Sequence, residues 1–172
     1  MSHHNVTIRD AEIRDLPLIL EFIRKKASFD GVPDSVEATE NLLRGNLFSQ
    51  HPVAFVALGE LDGCVVAFAS YFLTFSSFLG RPGIWLDDLF VEDSARGNGV
   101  GAALLTHLAL LADARGYRRI EWLTATDNAK GLAFYARNGA RVHEDVRLLR
   151  LESAEVSRLV SEAPIDSRFR DR

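Results

Sequence analysis

Three groups of residues in this chain could carry chemistry. Residues 96 to 101 read Arg96-Gly97-Asn98-Gly99-Val100-Gly101. Where a strand turns into a helix, such a run presents unpaired backbone amides at the positive end of the helix dipole, which makes an anion site suited to phosphate. A loop that merely needs positive φ values accounts for one or two glycines, but less well for three alternating behind an arginine at a helix start. Asp87 and Asp88 are adjacent carboxylates in the apolar segment Trp85 to Val91. As strand neighbours they are expected on opposite faces, and burying either is costly unless it is paired, the alternative being exposure on a sheet rim. Asn128 and Tyr135 stand seven positions apart in a helical pattern, hence on one face two turns apart.

The glycine run has a rival reading. Gly97-Asn98-Gly99-Val100-Gly101-Ala102 also satisfies the letter of the dinucleotide fingerprint, with Glu121 about 20 residues beyond. In that fold the first glycine follows the strand almost directly. Here the polar residues Glu92 to Arg96 intervene, and the run comes too late in the chain to leave room for the rest of such a sheet. A nicotinamide or flavin site is therefore disfavoured.

The elements that must position these residues follow from periodicity. Asn5 to Arg9 predicts a first strand. Leu16, Ile19, Leu20 and Ile23 predict a helix with Asp15 as N-cap before Pro17, and a second helix is predicted from Ser35 to Arg44, ended by Gly45. Val53–Leu58 and Cys64–Phe75 predict antiparallel strands joined through Asp62-Gly63, and Ile84–Val91 a third strand after a loop at Ser76–Gly83. A helix to Arg115 follows the glycine run, with Leu104, Leu108 and Leu111 as its buried stripe and Gly116 at its end. Arg119–Thr124 predicts a strand, Asn128–Asn138 a helix closed by Gly139, and Arg141–Leu151 a last strand. The order describes a mixed sheet flanked by helices. Residues 1–152 form the domain; residues 153–172 are a C-terminal extension, whose Pro164–Arg172 end is either disordered or an arm on a partner.

A chain of 172 residues with 47% hydrophobic content fits one domain. Its net charge of −4 lacks the basic surplus that nucleic-acid binding draws on. No apolar run approaches the roughly 20 residues needed to cross a bilayer, and no signal-peptide pattern opens the chain, so the expectation is a cytoplasmic protein without a membrane partner. The single Cys64 has no partner for a disulfide, and no Cys/His cluster has ligand spacing, so no metal is expected; His3 and His4 lie at a frayed terminus.

Arg96-Gly97-Asn98-Gly99-Val100-Gly101 resembles the R/Q-x-x-G-x-G/A pyrophosphate loop of the GNAT superfamily of acetyl-CoA-dependent N-acetyltransferases. Trp85-Leu86-Asp87-Asp88-Leu89-Phe90-Val91 resembles the splayed strand before that loop, and Asn128 through Tyr135 to Gly139-Ala140 the element after it. Ser70-Tyr71-Phe72, Leu86-Asp87-Asp88 and Leu132-Ala133-Phe134-Tyr135 carry a closer resemblance to the diamine, spermidine/spermine and thialysine acetyltransferase subfamily. The resemblance spans Val6 to Arg150. It implies an α/β (α+β) fold with a central mixed, mostly antiparallel sheet, a splayed pair of strands and flanking helices, and a homodimer.

It also implies roles. Amides of Gly97, Asn98, Gly99, Val100, Gly101 and Ala102 would hold the pyrophosphate of acetyl-CoA beside Arg96, and the backbone of Leu89, Phe90 and Val91 its pantetheine arm. Asn128 would contact the cofactor, although a plain N-cap remains open. Tyr135 would protonate the departing thiolate, its alternative being a core aromatic. Asp87, a glutamate in the subfamily, would bind the substrate amine and assist its deprotonation; one methylene shorter, it favours a relay through water. Asp88 would stay on the substrate side, and Glu121 and Glu144 align less securely there. The function implied is transfer of acetyl from acetyl-CoA directly to a small primary amine, with a catalytically inactive CoA-binding module as the alternative. Because Ala27 to Asp34 holds only Asp30 and Asp34 as carboxylates, a short amine is expected over a long polyamine.

Overall fold

The computed structural model describes residues 4–163. Its sheet has the order β1-β2-β3-β4-β5, formed by Val6–Asp10, Phe55–Leu61, Cys64–Ser76, Arg81–Val91 and Ile120–Glu121. The first four strands pair antiparallel and β5 joins β4 in parallel. Asp62 (φ 51°) and Gly63 (φ 84°) turn β2 into β3 as the sequence predicts, since a two-residue hairpin of the primed type needs positive φ at both positions.

Alternation along the strands sends side chains to two helical layers. Ala57, Ala67, Ala69, Ile84 and Leu86 pack with Val100, Leu104 and Leu108 of α3 (Val100–Ala114). Val56, Leu58, Phe68 and Phe90 pack on the opposite face with Ile19 and Phe22 of α1 (Leu16–Phe29). Phe22 and Phe68 stack with centroids 5.5 Å apart. The buried stripe of α3 is Val100, Leu104, Leu108 and Ala112, so Leu111 sits at its margin.

Several sequence expectations need correction. Asp15 stands at the N-cap position of α1 as predicted, but its side chain makes no cap hydrogen bond there; its carboxylate takes two Arg9 nitrogens at 2.7 and 3.0 Å and the Glu12 amide at 2.7 Å. A guanidinium fork outcompetes a helix amide for a buried carboxylate. The second helix, α2, covers Glu40–Leu47, capped by Thr39 through the Leu42 amide, and runs straight through Gly45. A glycine ends a helix only when it turns left-handed, and Gly45 keeps a negative φ. The strand predicted at Arg119–Thr124 shortens to β5, two residues long.

Contacts divide the chain into two units between Ala129 and Lys130. The first holds the sheet and α1 to α3. The second contains most of α4 (Ala129–Arg137) and α5 (Ser153–Glu162). Gly139 follows α4 with φ 88°, as a left-handed stop. No strand forms over Arg141–Leu151, because alternation defines a face while a strand exists only through a ladder; Leu149 there is 89% exposed. Helix α5 is absent from the sequence reading, although Val156, Leu159 and Val160 have helical spacing. His3 and the tail Pro164–Arg172 lie outside the described residues.

Candidate active site

Strand β4 pairs with β5 only at Ile84–Ile120 and Trp85–Glu121. Beyond Trp85 the two strands part, so among the described residues the edge of β4 from Leu86 to Val91 that faces away from β3 carries no ladder. Unpaired strand amides and carbonyls are available to an extended ligand.

At the same place β4 bulges. Ser70 pairs with Asp88 and Tyr71 with Leu86, which leaves Asp87 as the extra residue. Leu86 faces the α3 layer and so does Leu89, three positions on. Both aspartates between them therefore turn to the α1 side, not to opposite faces as strict alternation predicts. Asp88 lies 3.6 Å from Lys26 Nζ of α1 and 3.5 Å from Ser70 Oγ. Burial pushes the Asp88 carboxyl above the ordinary carboxylate range, the Lys26 ammonium opposing that rise and the neighbouring Asp87 charge reinforcing it. Asp87 is exposed, and among the described residues its carboxylate has no hydrogen bond or ion pair.

After Val91 the chain makes a short turn at Asp93–Ala95 and enters the glycine run. Gly97 and Gly99 both have φ 85°, a conformation that side chains rarely adopt. A Cβ on either would meet nothing within 4 Å, so the backbone here borders open space. Gly99 is the left-handed N-cap of α3 and brings no side chain to its first amides. Asn98 ties the loop by donating to the Ala95 carbonyl at 3.1 Å. Val100 is buried in the core, and Gly101 and Ala102 form the first turn of α3. This cradle fits an anionic group: positive-φ glycines, a helix start and vacant space coincide.

Arg96 is pinned beside it. Its Nε donates to the Val91 carbonyl at 3.1 Å, its guanidinium pairs with Asp93 at 2.8 Å and lies over the Phe29 ring at 5.0 Å. The Phe29 contact joins the loop to the end of α1 and was not legible in the sequence.

The remaining candidates lie on other elements. Glu121 lies in β5 and pairs with Arg119 at 2.7 Å. Asn128 donates from Nδ2 to Thr124 Oγ1 at 3.2 Å. Tyr135 is half-buried in α4, its ring edge-on to Phe134 at 5.2 Å. Glu144 is exposed in the second unit, where its carbonyl accepts from Arg147. Among the described residues no group of three potential metal ligands occurs, and no helix is long and apolar enough to cross a membrane. His4 bonds Asp62 at 2.7 Å. Lys26, which nothing in the sequence singles out, is the cation that α1 brings to within 3.6 Å of Asp88.

Comparison with known proteins adds four findings. Residues 19–140 match the Acetyltransferase (GNAT) family. A thialysine N-epsilon-acetyltransferase of Sus scrofa is 32% identical over 145 residues, covering 80% of this chain and 85% of that protein. An L-ornithine N5-acetyltransferase of Arabidopsis thaliana is 27% identical, covering 84% and 83% respectively. Among solved structures, an integron cassette protein from the mobile metagenome of V. cholerae superposes with a TM-score of 0.74 at 28% identity, covering 90% of this chain and 97% of its own.

Proposed function

The chain belongs to the GNAT acetyltransferase family, and on that premise we propose that it transfers the acetyl group of acetyl-CoA directly to a small primary amine. The observation that carries this reading is the free carboxylate of Asp87 on a bulge at the point where β4 leaves β5, a few residues before the glycine cradle. The acceptor class is a diamine, a polyamine or a thialysine-like amino acid. The relatives named for thialysine and ornithine support that class.

In this reading the cosubstrate supplies an activated thioester. The amides at Gly97 to Ala102 bind its pyrophosphate with Arg96 alongside, the open edge at Leu89, Phe90 and Val91 binds its extended arm, and Asn128 adds a contact. A free alkylammonium near pKa 10 must lose a proton before it can attack. Asp87 draws the ammonium in and accepts that proton, directly or through one water. As the new N–C bond forms and the C–S bond breaks, a β4 amide stabilises the carbonyl oxygen. Tyr135 then protonates the thiolate and its phenolate takes back, directly or through water, the second proton that the acylated nitrogen sheds; a phenol near 10 and a thiol near 8.5 are matched closely enough for general-acid transfer. Asp88, Glu121 and Glu144 belong to the substrate side. No covalent enzyme intermediate is required, and Cys64 is exposed beside the β2–β3 turn.

The same reading includes a cytoplasmic homodimer, supported by the family resemblance and by the exposed Phe75, Phe78 and Leu79 at the β3–β4 turn. Thiol release from acetyl-CoA across a panel of amines tests the activity. Release with no amine alongside intact CoA binding would point to the binding module instead. Light scattering at micromolar concentration tests the dimer.

A further inference from the structure

The acceptor side of the bulge already holds a cation of its own. Lys26, on the last turns of α1, reaches between two carboxylates: it pairs with Asp30 at the end of its own helix and lies 3.6 Å from Asp88 across in β4. Only 20% of its side chain is exposed, against 42% for Asp30 and 26% for Asp88. Of the carboxylates at the bulge and the α1 end, two therefore face a fixed positive charge, and the Asp87 carboxylate stands without a partner among the described residues.

We propose that Lys26 is a specificity-determining residue, a built-in counter-cation that fits the cleft to acceptors of net charge near +1 and disfavours polycations. The inference rests on the acetyltransferase reading and deepens it. An alkylamine meets Asp87 alone. An amino acid such as ornithine brings a second ammonium together with its own carboxylate, and that pair matches the Lys26–Asp88 pair without leaving a charge over. A polyamine extends further ammonium groups into ground where the available anions are already occupied, so it must displace Lys26 or lie beside it unpaired. Either alternative costs affinity, because like charges at close range repel and a displaced ammonium must find another partner. Asp88 lies mostly buried between Lys26 and Ser70, so little water reaches it to ease the conflict.

The test compares Lys26→Met, Lys26→Gln and Lys26→Arg with the wild type, using butylamine, ornithine and spermidine. Each is measured by kcat/KM for thiol release and by calorimetric binding to the CoA-loaded protein. Ratios within one variant cancel any general loss of activity or stability. The spermidine-to-butylamine ratio is expected to rise by about tenfold or more in the Met and Gln variants, as one charge-assisted contact becomes available, and to stay within about threefold of wild type in the Arg variant. An unchanged ratio in Met and Gln, or an equal rise in Arg, would overturn the proposal. Binding reads that ratio even without turnover, so absence of thiol release with every amine would count against the acetyltransferase reading alone.

Discussion

Val100, the first residue of α3, rests on the bare backbone of Gly59 in β2: a Cβ built on that glycine would come 2.6 Å from Val100 Cγ1 and 3.1 Å from the Ala67 methyl. This contact fixes the height of the helix start, and with it the glycine cradle, above the sheet. Gly59→Ala should therefore destabilise the fold by about 2 kcal/mol through overpacking, roughly 6 °C in Tm for a chain of this size. Adding Val100→Ala should recover part of the loss, which thermal melts of the single and double variants will read. Additive losses would mean that the two side chains do not conflict.

The cradle itself separates two kinds of substitution. Gly99→Ala adds only a methyl group facing open space, yet forces a side-chain residue to φ 85°, a cost of about 1 to 2 kcal/mol. Gly99→Glu has the same backbone cost and places an anion where the phosphate is proposed to bind. Calorimetry should show CoA affinity falling by about tenfold or more beyond the alanine variant. Equal affinity in the two variants would move the anion site elsewhere.

The Arg9–Asp15 pair makes stability depend on acid. Asp15 is buried, and hydrogen bonds from the Arg9 guanidinium hold its carboxyl below the ordinary range, with the Glu12 amide assisting. A depressed carboxyl contributes stability above its unfolded value, near pH 4, and loses it as pH falls through the lower folded value. Asp15→Asn should cost roughly 2 to 3 kcal/mol at pH 7, leaving Arg9 with Glu60 alone. Urea melts from pH 7 down to pH 2 should show the gap to wild type closing in acid. A gap that widens would show that the pairing is not its source.

Much of this architecture is legible in the sequence because its signals are local. Asp62-Gly63 sets a hairpin, the glycine run ends a strand and opens a helix, and Gly116 and Gly139 stop helices with positive φ. What escapes is set by partners far along the chain. The register shift that makes Asp87 a bulge is set by how β3 pairs with β4, so two adjacent aspartates read as opposed when they share a side. Lys26 is one of three lysines, and nothing in the sequence ties it to the site until α1 is laid against β4. Arg96 is singled out by its motif, whereas its stacking on Phe29 needs the fold. The Arg141–Leu151 pattern has strand-like alternation without a ladder, and periodicity alone cannot supply one.

Tyr135 supplies the sharpest check on mechanism. Of the three tyrosines, Tyr71 is buried in the core below the bulge, where desolvation pushes its phenol up to about 12, which suits it poorly to proton transfer near neutrality. Tyr135 is half-buried in α4, and its ring contact with Phe134 survives removal of the hydroxyl. Tyr135→Phe should accordingly lower kcat by roughly a hundredfold, the usual range for a general acid, with little change in CoA affinity. Tyr71→Phe should keep kcat within a fewfold of wild type. The deficit of the Tyr135 variant should also shrink with acetyl thiophenol as donor, because a more acidic leaving thiol has less need of a proton. A Tyr135→Phe enzyme with wild-type turnover, or one whose deficit is indifferent to the leaving thiol, would assign Tyr135 to packing and leave the thiolate proton to another group.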